Sequence, residues 1–437
     1  MAQKAFGLAE FLRLVTAEGH VLNDPEKSLE AAGLSEGDHL TAIAQQGKLA
    51  ATKEAFAFWS PGSNRILTWG HPKVTGRCAV QDKLGPVRMV WGTGFLGGLP
   101  DFDLDDEGCA FAAILEDGSV VTWGDLGCGG DSSEVQDQLV NVKQLQATGY
   151  AFAAILADGS VVTWGDRAWG GDSLQVQDRL RDVRQIAATD FAFAAILADG
   201  SVVTWGDPQR GGDSSAVHRE LRKVQQIQAS GHSFAAILQD GSVVAWGDPF
   251  CGGDSSAVQD QLRNVQQLQA TGTAFAAILE DGSVVTWGHP DYGGDSSEVQ
   301  HQLKGVEQVQ ATASAFAAIL AGGSAVTWGY PDGGGDNSRV QSQLRKVQQV
   351  QATSDAFAAI LEDGSVVTWG QSSRGGDSSE VQDWLRNVQQ LQATGGAFAA
   401  VLSDGSVVTW GDPTCGGEFR ISGHVVNMQA ALSLNLG

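Results

Sequence analysis

The chain has 437 residues, 42% of them apolar and 18% charged, with a net charge of −24. That balance suits a folded chain and not a disordered one. Its acidity argues against nucleic acid and anionic membrane as partners, because both need a basic face to meet their phosphates.

The N-terminus, MAQKAFGLAEFLRLVTAEGH, has no long apolar stretch, so no secretory signal is expected. No later apolar run approaches the roughly 18 residues of a transmembrane helix. Phe11–Gln46 reads as strand, turn, strand, a short helix in SLEAAGL, a turn and a strand. The segment resembles the second half of a ubiquitin-like domain, with no counterpart to that fold's first hairpin. Residues 1–47 are therefore expected to form a partial ubiquitin-like α+β cap. AQQGKLAAT runs on without a Gly-Gly end, so conjugation is not expected.

From Lys48 onward the chain repeats. Trp69 is followed by Trp123, Trp164, Trp205, Trp246, Trp287, Trp328, Trp369 and Trp410. Every step after Trp123 is 41 residues, and the first carries 13 more. Nine units result, with a C-terminal segment expected to close the array over residues 48–437. FAAILADGSVVTWG stands unchanged at Phe152–Gly165 and at Phe193–Gly206.

Within one unit, Val142–Thr148 alternates and reads as a strand. Ala151–Leu156 is apolar on both faces, as a strand between two layers is. Asp158-Gly159 supplies the positive-φ residues of a hairpin turn, and Val161–Gly165 is a third strand. Gly170 and Gly171 then break the chain, and Asp172 or Ser173 caps a short helix carrying Val176 and Leu180. Such a unit cannot bury its middle strand alone, so neighbours must stack. The fold class is an all-β repeat array, either a closed β-propeller or an open superhelical stack.

The motif AAILxDGSVVTWG with its Gly-rich turn resembles the repeats of the regulator-of-chromosome-condensation (RCC-type) family, over about four fifths of the chain. That resemblance implies a propeller of about nine short units. It also implies protein binding, ubiquitin-ligase context as in the HECT-type ligases, or guanine-nucleotide exchange on a small GTPase. Three features depart from the family: GGDS replaces its G-Q-x-G turn, its His survives only as His232, and the helix SSEVQDQL replaces an outer strand. The chain ends 27 residues after Trp410, so no HECT domain is expected.

The two ends of the units differ. The Asp-Gly hairpin is nearly constant. At the other end the first turn carries Tyr150, Phe191, His232, Thr273, Ser314, Asp355 and Gly396 at one register. The loop leaving the third strand carries Cys128, Trp169, Arg210, Cys251, Tyr292, Gly333, Arg374 and Cys415. Loops on a rigid scaffold are free to be selected for contact, although drift at exposed positions explains variation equally well. Tyr150, Trp169, Phe191, Arg210, His232, Phe250, Tyr292 and Arg374 are the candidate partner-binding residues, several being types enriched at interface hot spots.

Other chemistry is expected to be absent. No G-x-S-x-G, P-loop or H-E-x-x-H motif occurs, so the chain reads as no enzyme, with no cofactor. The five cysteines are odd in number and form no C-x-x-C, which speaks for a reducing compartment, the cytoplasm or alternatively the nucleus, with no disulfide framework and no zinc site. The repeated Asp of GGDS (Asp131 and its equivalents) is expected to cap the short helix and not to bind calcium, because turns 41 residues apart cannot share ions. In the 13-residue insertion, Asp101, Asp103 and Asp105 start an EF-hand spacing, but Asp106 and Ala112 replace its Gly and Glu. That acidic loop remains a partner-specific element, and the only segment able to supply the wedge that nucleotide exchange needs. The leading reading is a non-enzymatic scaffold binding protein partners through its variable loops. A substrate-recognition component for ubiquitin ligation, or an exchange factor, is the alternative.

Overall fold

A computed structural model describes residues 12–16, 21–22, 40–44, 48–52, 55–59, 63–70, 84–93 and 110–417 apart from 405. Nine three-stranded antiparallel sheets follow one another from Lys48, each a simple meander of first, second and third strand. In unit 3 the strands are Val142–Ala147, Ala151–Leu156 and Val161–Gly165. The second and third strands match the sequence reading residue for residue. The outer helix does not form. After Asp172 the chain makes turns and the 3-10 turn Gln177–Arg179. The segment is too short for helix nucleation, and side-chain bonds hold it instead. Thr163 and Ser173 share a hydroxyl contact of 3.0 Å, Ser173 donates to Gln177 Oε1, and Gln177 Nε2 donates to the Val161 carbonyl of the third strand. Asp172 does cap, accepting the Leu174 N–H at 2.9 Å.

Units stack face to face. Ala110, Ala112, Ile114 and Val120 of unit 2 form one core with Leu145, Phe152, Ala154 and Trp164 of unit 3, and the same set recurs around the array. From unit 2 onward the Ala-Ala middle of the second strand lets the sheets approach closely, and the Phe is fully buried in eight consecutive units from Phe111 to Phe398. Each Phe stacks on the Trp of its own third strand, at 5.2 Å for Phe152 and Trp164. That Trp is a packing residue: Trp164 Nε1 donates to the Gly129 carbonyl of the preceding unit at 3.0 Å, and six further Trp repeat the bond.

The array is a closed ring. First strands of successive units lie against one another and so face the axis. Their following turns are linked by a run of backbone bonds, Gly149 N–H to Asp190, Asp190 to Gly231, Gly231 to Gly272, and onward to Gly395. Each exit turn packs on the third strand of the next unit. The exit turn of unit 9, Pro413–Cys415, packs in the same way on Ala55–Trp59 and Leu67–Gly70 of unit 1. The propeller reading therefore holds, and the open stack is excluded.

Before the ring, Leu12–Thr16, Val21–Leu22 and Leu40–Ala44 form a separate three-stranded sheet with Leu12–Thr16 in the middle. These are the three strands read from the sequence. The helix expected in SLEAAGL, the acidic loop at Asp101–Asp105 and the C-terminal closing segment lie outside the described residues.

Candidate functional site at the exit-loop end

The two ends of a unit are built differently. At the hairpin end, Gly118 N–H donates to the Leu115 carbonyl and only the glycine has positive φ, at 82°. The Asp does not adopt the left-handed region expected for it. Asp117 Oδ1 instead accepts the hydroxyl and the amide of Ser119, at 2.6 and 2.9 Å. The next unit docks here: Val142 N–H donates to the Gly118 carbonyl, and a Cβ on Gly118 would lie 2.9 Å from the Asn141 backbone. Constancy of D-G-S follows from that close approach.

At the other end, the first turn and the exit loop of the same unit lock together. Thr148 Oγ1 accepts the N–H groups of Tyr150 and Ala151 and donates to the Trp169 carbonyl at 3.1 Å. The same Thr or Ser bond recurs through Thr394 and Cys415. Two of the sequence positions proposed as variable contacts are thus brought side by side in units 3 to 9.

This corrects the sequence reading of the first turn as exposed. Tyr150 and Phe191 are each 7% exposed and His232 is 6% exposed. Each faces its exit-loop partner. The Tyr150 and Trp169 rings are 4.1 Å apart, the Arg210 guanidinium lies 4.4 Å above the Phe191 ring, and His232 Nδ1 sits 3.3 Å from Cys251 Sγ. Two units have glycine at one of the positions, and there the space is taken: a Cβ on Gly396 would meet Cys415 Sγ at 3.0 Å, and one on Gly333 would strike Ser314 Oγ. The positions vary as pairs that fill one space. Trp169, Arg210, Tyr292 and Arg374 are half-buried, with Arg210 paired to Asp207 at 2.6 Å and Arg374 reaching Asp412 at 3.5 Å.

Among the candidates Phe250 stays in solvent, 61% exposed. It begins an aromatic stripe over three units. Phe250 meets His289 edge-on at 4.6 Å, His289 meets Tyr292 at 4.6 Å, and Tyr292 meets the exposed Tyr330 at 5.8 Å. Exposed Asp291 and Asp332 border it. Sequence reading missed Tyr330 and His289 because they sit at the loop's first position, which Asp occupies in most units.

A second grouping lies in unit 5. Ligand atoms of His232, Asp248 and Cys251 all fall within 4.8 Å of one another. Burial, then the nearby Arg210 cation, lowers the His232 pKa. Burial and then Asp248 push the Cys251 thiol to about 12. Both groups are neutral near pH 7, the reverse of an activated Cys–His nucleophile. Cys128, Cys251 and Cys415 are buried and unbridged in separate units.

No protein-family model matches the chain, and no curated protein matches it. Solved structures do. A chain of yeast RCC1 (Prp20) with Kap60 is 16% identical with a TM-score of 0.41, covering 81% of this chain and 88% of that one. The ectodomain of the Physcomitrella patens receptor kinase CR4 is 16% identical at 0.37, covering 64% and 72%. Human WBSCR16 is 15% identical at 0.35, covering 57% and 78%. The strand pairing and ring contacts of this chain carry the fold on their own.

Proposed function

We propose that this protein is a non-enzymatic interaction scaffold that takes a protein partner on the exit-loop end of its ring. The observation that carries this reading is the stripe Phe250–His289–Tyr292–Tyr330, which leaves aromatic rings in solvent on loops whose backbone is pinned at both ends. Ordered aromatic anchors lose little conformational freedom on binding and dominate interface energies. Asp291 and Asp332 beside the stripe, and the net charge of −24, favour a partner segment that carries basic side chains.

The test uses a partner recovered with the intact chain. Replacing Phe250 and Tyr330 together by Ser is expected to weaken binding by more than about 2 kcal/mol. Replacing Leu174 and Trp384, which are also exposed but lie on the outer turns, is expected to change it by less than about 0.5 kcal/mol. Equal losses from both pairs would refute the assignment of the working face.

A further inference from the structure

Among the described residues, unit 5 brings three metal-ligating side chains within reach of one another. The register positions that hold Tyr150, Asp166 and Trp169 in unit 3, or Phe191, Asp207 and Arg210 in unit 4, hold His232, Asp248 and Cys251 here. An imidazole nitrogen, a carboxylate and a thiol converge from the first turn and the exit loop. We propose that these three side chains form a binding site for a borderline-soft divalent cation of the zinc class.

The donor set is one such ions use, with nitrogen and sulfur ligands and a carboxylate oxygen. Spacing agrees. Metal bonds of about 2.0 Å to nitrogen and about 2.3 Å to sulfur at a tetrahedral angle put the two donors about 3.6 Å apart. His232 Nδ1 and Cys251 Sγ are 3.3 Å apart, and no pair of the three donors is further apart than 4.8 Å. Small side-chain rotations bring all three to one ion.

The surroundings hold the donors in place. The Phe191 ring stacks on His232 at 5.3 Å and fixes the imidazole plane. Asp248 Oδ1 accepts the Phe250 N–H at 2.9 Å, which orients the carboxylate. The Cys251 carbonyl accepts the Ser230 hydroxyl at 3.2 Å. Such outer contacts are what preorganise a metal site. Charge also balances: a thiolate and a carboxylate neutralise the divalent ion, while the nearby Arg210 is paired with Asp207. Binding forms the sulfur–metal bond and releases the Cys251 thiol proton to solvent, the imidazole being neutral already. Asp248 is only half-buried, so the ion enters from the exit-loop end, and three protein donors leave one position for water or a partner's ligand.

The experiment is a titration of the intact, chelator-treated chain with cobalt(II), followed by displacement with zinc(II). A thiolate-to-cobalt charge-transfer band that zinc abolishes is expected. Cys251→Ser should remove the band. His232→Phe, which installs the residue of unit 4, should weaken cobalt binding at least about tenfold while keeping the turn packed. Cys415→Ser should leave the band intact. Tryptophan fluorescence reports that each variant is folded. Absence of the band in the folded wild-type chain would overturn the proposal, as would a band that survives Cys251→Ser.

Discussion

The hairpin end and the exit-loop end of each unit record sequence change in opposite ways. At the hairpin end, the neighbour's backbone comes within van der Waals distance of the glycine, as Asn264 does over Gly241. Nothing larger fits, so D-G-S recurs. At the exit-loop end, the neighbour in space is a side chain of the same unit. Residues at the two positions fill one space, as with Phe191 under Arg210 or Ser314 against Gly333. Constancy at one end and variation at the other thus both arise from packing, and variability alone does not mark a contact surface. Exposure separates Phe250 and Tyr330, at the exit-loop end, from the covered first-turn residues.

The largest expected effect concerns what both ends depend on. Trp246 is buried, stacks on Phe234 at 5.2 Å and bonds the Gly211 carbonyl of the preceding unit. Trp246→Ala should cost about 3–5 kcal/mol in denaturant unfolding. An unchanged unfolding midpoint would refute its packing role. Next, Gly241→Ala at the hairpin end forces a Cβ to 2.9 Å from Asn264 in a φ of 78°. A loss of about 2 kcal/mol is expected. Gln209→Ala, on an exposed exit-loop residue, should stay within about 0.5 kcal/mol. If the two were equal, the contrast between the ends would collapse.

Paired variation sharpens the comparison further. Tyr150→His with Trp169→Cys moves the unit 5 pair into unit 3. The double variant should be more stable than the sum of the single ones by about 1 kcal/mol, since residues in contact couple. Strict additivity would show that the pairs vary independently. The smallest effect concerns acid. The Ser242 hydroxyl and then its amide hold the Asp240 carboxyl below the ordinary carboxylate range. A carboxylate lowered in the folded state stabilises above its unfolded pKa and loses that contribution as pH falls through the folded value. Asp240→Asn should therefore flatten the fall in stability at acid pH slightly, as read from unfolding midpoints. A steeper fall would reverse the assignment.

Much of the fold was legible. Ala151–Leu156 and Val161–Gly165 were readable because a continuous apolar run and a D-G turn are local signals, repeated eight times with few changes. The outer turn was misread as a helix because Val176 and Leu180 fit helical spacing, whereas the bonds that shape it run to Thr163 and Val161 on another strand. At the candidate site, Phe250 is exposed as read, whereas Tyr150, Phe191 and His232, read as exposed, are covered. Their aromatic character was visible; their cover was not.

Sequence by itself determined the strand triplets, their order and the need for units to stack, because those depend on residues within one repeat. Tertiary structure alone decided that the ring closes through Pro413–Cys415 on unit 1, and which variable residues reach water. Closure depends on a small rotation per unit accumulated over the whole array, which no single repeat encodes visibly. Burial at a turn depends on a partner such as Cys251, 19 residues beyond His232, and on the neighbouring unit beside it. Those distances along the chain become contacts only when the sheets pack.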